Sequence, residues 1–272
     1  MKISLLAMCI LIYGFGFQSM AQGDLLVTPI RVVFEGNKQR EALNLVNTGK
    51  DTATYSISFI NYNMNEDGSF ETIEKPDSGQ MFATPYLRIF PRRVYLAPGE
   101  PQVIMLQYRR RADMVAGEYR SHLYFRAEKQ VNPLGTENKD TSNLSIQLIP
   151  VYGMSIPVII RTGIVDVGSS LSNLSIGTQP NLEQYLKLTI NRTGNISIYG
   201  DIVIEFIPTQ GKSIIIGRVK GVGVYTNINK RNIAVKLNNT TGKPFSNGKL
   251  KVQFTGKGEA KRTVYAEAEL NL

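Results

Sequence analysis

Apolar and polar residues alternate with period two over much of the chain, most densely across residues 90–128. Within residues 102–108 one face carries Ile104, Leu106 and Tyr108, and within 121–127 one face carries Leu123 and Phe125. Each run follows a turn signal, Pro98-Gly99 and Gly117 respectively. This spacing predicts antiparallel strands that each bury one face. The order of the two runs predicts a β-meander, with strands that are neighbours in the chain pairing in the sheet.

The same grammar holds on either side. Residues 24–34, DLLVTPIRVVF, read as a strand interrupted by Pro29, which removes a ladder donor and so predicts an edge strand or one that switches sheets. Glu41, Leu43, Leu45 and Asn47 alternate up to a turn at residues 47–50, and Tyr55, Ile57 and Phe59 alternate after it, which predicts two hairpin-linked strands. Residues 144–160 begin with Leu144, Ile146 and Leu148 alternating against Ser145 and Gln147. Pro150, Gly153 and Pro157 then exclude a helix, so the segment reads as a long edge strand leading into a second domain.

From Arg161 onward the pattern restarts. Leu186, Leu188 and Ile190 precede a turn at 191–195, and Ile202, Ile204 and Phe206 follow it, repeating the spacing of the first half. Further strands are expected at 214–216, 233–237, 249–254 and 263–272. About seven short strands per half, with turn signals every 8 to 12 residues, is the pattern of an all-β chain made of two tandem β-sandwiches. No segment keeps a 3.6-residue period over the length of a helix.

The N-terminus changes the picture of where this chain works. Lys2, an apolar run over residues 3–17 and the small-residue site Ser19-Met20-Ala21 have the order of a secretory signal peptide, cleaved after Ala21. The run, about 15 residues, is short for a membrane span. A lipid anchor on Cys9 would leave almost no apolar segment before the cysteine. The expected organisation is a signal peptide at 1–21, an N-terminal domain at 22–160 and a C-terminal domain at 161–272, exported and not membrane-spanning. Cys9 is the only cysteine and His122 the only histidine, so zinc sites built from sulfur and imidazole and thiol nucleophiles are excluded. The formal charge is +9. The positive residues are spread along the chain apart from Arg109, Arg110 and Arg111, which read as a solvated strand end, and no nucleic-acid motif surrounds them.

No nucleophile elbow, phosphate loop or dinucleotide fingerprint is present, so the chain reads as a non-enzyme without a cofactor. His122 lies on the strand face opposite Leu123 and Phe125 and has no orienting partner in the sequence, so it reads as solvent-facing or as a hydrogen-bonded structural residue. Residues 63–74, NMNEDGSFETIE, place Asn63, Asn65, Asp67, Gly68 and Glu74 at calcium-loop positions. The flanks are strand-like rather than helical and Asp67-Gly68 is a hairpin turn, which disfavours calcium. Asn-x-Ser/Thr sites begin at Asn143, Asn173, Asn191, Asn195 and Asn239, among others, and matter only in a eukaryotic secretory path.

Residues 90–128 also resemble the first domain of the PapD-like periplasmic chaperones of pilus assembly. The shared order is Phe-Pro, a hydrophobic residue, Leu-Ala-Pro-Gly-Glu, a Gln-containing strand, then Gly-Glu and an aromatic-rich strand. The resemblance covers most of the first half and, more faintly, the second. It implies two immunoglobulin-like sandwiches with a cleft between them, and a periplasmic location. In that family an Arg within a hydrophobic-Arg-hydrophobic-hydrophobic-Phe run grips the C-terminal carboxylate of a pilus subunit. Residues 30–34, IRVVF, are similar, which implies that role for Arg31; a guanidinium fork suits a carboxylate. The family lends alternating apolar residues of the last strand of its first domain to an incomplete subunit, a position matched by Leu144, Ile146 and Leu148. The family's cationic second ligand on that strand falls near Gly153 here, and Arg161 is the nearest replacement. The implied partners are pilus- or fimbria-type subunits, with an outer-membrane usher as a second candidate. The competing expectation is an exported structural or adhesive two-domain sandwich, because fold alone does not fix function.

Overall fold

The computed structural model describes residues 25–128, 152–178, 183–238, 245–260 and 263–272. These are almost entirely strands, and the described residues contain no helix longer than a three-residue 3₁₀ turn. None is long and apolar enough to cross a membrane. The first half contributes β1 (Leu25–Thr28), β2 (Val32–Phe34), β3 (Arg40–Asn47), β4 (Ala53–Ile60), β5 (Tyr62–Met64), β6 (Phe70–Thr72), β7 (Leu87–Phe90), β8 (Arg93–Leu96), β9 (Pro101–Tyr108), β10 (Gly117–Ala127) and β11 (Gly153–Thr162). They form a four-stranded sheet, β1-β3-β9-β7, facing a five-stranded sheet, β2-β11-β10-β4-β8, with β5 and β6 as a separate hairpin. The inward faces meet in one core that includes Leu43, Leu45, Ile104, Leu106, Leu123 and Phe125.

Two pairings expected from the sequence are overturned. β9 and β10 do not form a meander: β9 pairs with β3 and β7, whereas β10 pairs with β4 and β11 in the opposite sheet. Nor are β3 and β4 a hairpin, since they too lie in opposite sheets. Period-two alternation records which face of a strand is buried and is silent about its neighbour, and two strands facing one core from opposite sides carry the same signature. Local bonds fix the crossings. Asn47, fully buried, donates from Nδ2 to the carbonyls of Asp51 and Leu96 and accepts from Gly49 N–H, tying the β3–β4 turn to β8 in the other sheet. After β9, Tyr119 folds the link over by accepting from Val115 N–H at 3.0 Å and donating to Val115 O, the tyrosine corner of immunoglobulin-like sandwiches. The expectation for Pro29 holds in its second form, because β1 and β2 on either side of it lie in different sheets.

β11 is the expected edge strand over part of its length. Residues 158–160 are flanked by β2 in parallel register. Among the described residues, nothing pairs with the outer side of 153–157.

The second half contributes β12 (Val167–Thr178), β13 (Gln184–Gly194), β14 (Ile198–Pro208), β15 (Ile214–Val224), β16 (Lys230–Lys236), β17 (Gly248–Gly256) and β18 (Val264–Asn271). A three-stranded sheet, β12-β13-β16, packs on a four-stranded one, β15-β14-β17-β18, around a separate core that includes Leu186, Ile190, Ile204, Val252 and Phe254. The repeated motif has a structural counterpart: β13 and β14, like β3 and β4, are consecutive strands in facing sheets. β12 was not anticipated. Its apolar residues Leu171, Leu174 and Ile176 break period two, and a bulge between Ser172 and Ser175 returns all three to the core.

Candidate functional site

The site grows out of β10. Its odd positions Tyr119, Leu123 and Phe125 enter the first core, while Glu118, Arg120 and His122 point the other way. Those three are also buried, because the second sandwich covers them. Cross-strand register organises this outer face into rows. Glu118 lies opposite Arg161, and Arg120 opposite Ile159, which in turn pairs with Val33 of β2. His122 lies opposite Pro157, and extending the β2–β11 register by one residue brings Arg31 to that row. Ile159 and Val33 are buried yet belong to neither core, since they face the second sandwich.

Glu118, with a side-chain exposure of 0%, is the electrostatic centre. Its Oε1 accepts from Arg120 Nη2 at 2.6 Å and Nε at 3.2 Å, and its Oε2 accepts from Arg161 Nε at 3.2 Å. From the second sandwich, Ser197 donates to Oε2 through its backbone N–H at 3.1 Å and its hydroxyl at 2.8 Å. Burial alone would raise this carboxyl. The Arg120 and Arg161 charges and the Ser197 and Arg120 hydrogen bonds outweigh burial and hold its pKa at about 2. Arg161 also donates from Nη1 to Glu35 at 2.6 Å at the rim. Arg120 donates to the Ser197 hydroxyl and lies with Cζ 3.8 Å from the Tyr225 ring centroid, a desolvated cation–π contact across the junction.

His122 shares a hydrogen bond of 3.2 Å with the Tyr225 hydroxyl and sits edge-on to Tyr62 at 4.8 Å. Burial, with Arg120 and Arg31 nearby, pushes its pKa down to about 3, so the ring is neutral at ordinary pH. Of its two sequence-based readings, the hydrogen-bonded structural one holds, and the solvent its face seemed to meet is replaced by protein.

The residues singled out from the sequence fall as follows. Arg31 follows β1 and lies with Cζ 4.7 Å from the ring centroid of Tyr199 on β14, at the junction of the two sandwiches. Arg161 sits on the same side of the molecule, held between Glu118 and Glu35. Leu144, Ile146 and Leu148 lie outside the described residues. In the calcium-like loop, Asn63 Oδ1 accepts from Asn227 and Gln80, Asn65 donates to Ser69 and Glu71, and Asp67 Oδ1 accepts from Ser69, so these side chains build a hairpin turn. Arg109, Arg110 and Arg111 are exposed, as expected of a solvated strand end.

Sequence reasoning missed Glu118, Arg120, Ser197 and Tyr225. The signal for the first two was present: charged and polar side chains at 118, 120 and 122 recur with the same period as the apolar ones between them. On the second sandwich, buried Arg192 supports the contact loops. It donates to the carbonyls of Gly194, Ile196, Thr226 and Ile228 and to Asn229 Oδ1, tying the loop that carries Ser197 to the loop that carries Asn227.

A two-sandwich all-β chain with a charged junction is the class that fold and site define. No family model and no curated protein matches the sequence. Among solved structures the chain is similar to chaperones, one of them of the chaperone-usher Csu pili. The YadV chaperone is 14% identical with a TM-score of 0.47, covering 92% of this chain and 100% of that one. The CsuC–CsuE chaperone–tip adhesion subunit pre-assembly complex of Acinetobacter baumannii is 15% identical with a TM-score of 0.45, covering 92% and 99%. The E. coli chaperone DraB is 11% identical with a TM-score of 0.44, covering 91% and 96%.

Proposed function

We propose that this chain is a divergent periplasmic chaperone of the PapD-like class, binding pilus- or fimbria-type subunits by lending them an edge strand. The observation that carries the reading is the half-open edge of β11. Its outer backbone is unpaired at 153–157 among the described residues, and it runs on from the segment bearing Leu144, Ile146 and Leu148. An unpaired edge supplies main-chain bonds to an incoming strand, and alternate side chains supply the selectivity. Residues 1–21 are the export signal in this reading, 22–160 the strand-lending domain and 161–272 the domain that closes the cleft.

Arg31, stacked on Tyr199 at the junction, is the anchor for the subunit's C-terminal carboxylate. Arg161 is the second contact by exchange. Its rim partner Glu35 is 44% exposed, so an incoming carboxylate takes the place of Glu35 while Glu118 stays. An outer-membrane usher is the downstream partner.

The test is Ile146→Ala measured twice, by recovery of co-purifying subunit from periplasmic extract and by denaturant unfolding of the free protein. Lost recovery with near-parental stability is expected. Unchanged recovery with a loss of about 2–5 kcal/mol in free stability, the cost of a core cavity, places the segment in the chain's own core and favours a structural or adhesive sandwich. Arg31→Ala should lower subunit recovery while changing stability by less than about 1 kcal/mol. Equal recovery from parent and variant removes the carboxylate anchor.

A further inference from the structure

The β5–β6 hairpin stands outside both sandwich sheets and touches both halves of the molecule. Its register pairs Tyr62 with Thr72 and Met64 with Phe70, which puts Tyr62, Met64 and Phe70 on one face. Met64 is 1% exposed and belongs to neither core. On the first sandwich, Tyr62 packs on His122, and Gln80 donates to Tyr62 O. On the second, Phe70 packs against Tyr225 at 5.4 Å, and Asn227 Nδ2 donates to Asn63 Oδ1 at 2.6 Å and Met64 O at 2.8 Å. The hairpin tip continues the grip: Asn232 N–H donates to Glu66 O at 2.7 Å. Gly68, at φ +87°, lies so close to the Arg231 guanidinium that a Cβ there would run into it.

We infer that this hairpin is an interdomain clasp, which holds the two sandwiches at one angle and so sets the width of the cleft beside Arg31. Its contacts are of the kind a hinge lacks. Aromatic packing, side-chain amides on backbone carbonyls and a backbone–backbone bond all cross the junction. The aromatic contacts meet the charged site at His122 and Tyr225, while the bonds from Asn227 to Asn63 and Met64 and from Asn232 to Glu66 lie outside it and extend the grip along the junction, which resists rotation about the Glu118 cluster alone. Removing the clasp leaves both sandwich cores whole, because none of Tyr62, Asn63, Met64 or Phe70 belongs to either core. A client that enters the cleft thus meets a preset opening, which lowers the ordering cost of binding.

The experiment needs no client, so its outcome is independent of the chaperone reading. Tyr95 and Val264 are exposed, one on each sandwich, and can carry spin labels as Tyr95→Cys and Val264→Cys in a Cys9→Ser background. The label-to-label distance distribution of the parent should be single and narrow. Phe70→Ala combined with Asn227→Ala should broaden it, with an unchanged far-ultraviolet circular dichroism spectrum. Gly68→Ala, which strains the hairpin turn at φ +87° and crowds the Arg231 guanidinium, should broaden it less and serves if the double variant does not fold. Distributions as narrow as the parent's in the variants that fold would overturn the clasp and leave the Glu118 cluster as sole holder of the angle.

Discussion

The two faces of β10 are buried to nearly the same degree by opposite chemistry. Toward the first core, Leu123 and Phe125 are stabilised by removal of apolar surface from water and tolerate any close-packed neighbour. Toward the second sandwich, Glu118 and Arg120 are stable only because named partners replace water: two arginines and Ser197 around the carboxylate, the carboxylate and Tyr225 around the guanidinium. The first face needs volume, whereas the second needs geometry. A charged face of this kind fixes where the second sandwich must sit, which an apolar face of equal area would leave free to slide.

The comparison breaks most sharply at Glu118. Glu118→Ala leaves Arg120 and Arg161 facing each other with their shared counter-charge gone, and should cost about 3–5 kcal/mol in denaturant unfolding. Leu123→Ala on the other face should cost about 2–5 kcal/mol through transfer and cavity terms. The two differ in rescue. Replacing Glu118, Arg120 and Arg161 together with apolar residues of similar volume should recover most of the loss, and no polar set can do so for Leu123. If the triple variant is as unstable as Glu118→Ala, the cost is not one of unpaired charge.

Acid should open the polar face alone. His122 has a folded pKa well below its unfolded value, so the unfolded chain binds the extra proton as pH falls below about 6.5, and stability falls with it. Between about pH 6.5 and 5 the loss should be on the order of 2 kcal/mol, and His122→Asn should flatten that part of the profile. Glu118, held near 2 from an ordinary 4.5, has the same sign and takes over at lower pH. A parental profile that is flat from pH 7 to 5 would contradict the buried neutral ring. Ser197→Ala should give the smallest effect, about 1–2 kcal/mol, because the Ser197 backbone N–H still reaches the carboxylate. A loss as large as that of Glu118→Ala would mean that the serine hydroxyl, rather than the arginines, holds the charge.

Much of the fold was legible because it is written in alternation. The faces of β3, β4, β9, β10, β13 and β14 follow directly from their apolar positions, as does the lack of an α-helix among the described residues. What escaped was relational. Alternation gave β9 and β10 the same inward face, yet the eight residues between them, 109–116, and the Tyr119 corner carry the chain to the opposite sheet. β12 escaped because a bulge resets the period midway, so Leu171 and Leu174 are three apart yet share a face. At the site, Glu118 and Arg120 were not legible, because a polar strand face normally means water, and only the position of the second sandwich, set by residues some 80 positions later, turns it into an interface.

Arg192 has a consequence of another kind. Both loops that reach across to the first sandwich, one with Ser197 and one with Asn227, are bound to each other by five hydrogen bonds from one side chain. In many exported proteins a disulfide would do that task, and it would respond to the redox state around it. Here the cross-link contains no sulfur, so reductants and oxidants leave it alone. It is also concentrated: one codon carries all five bonds, and losing that side chain would remove them in a single step.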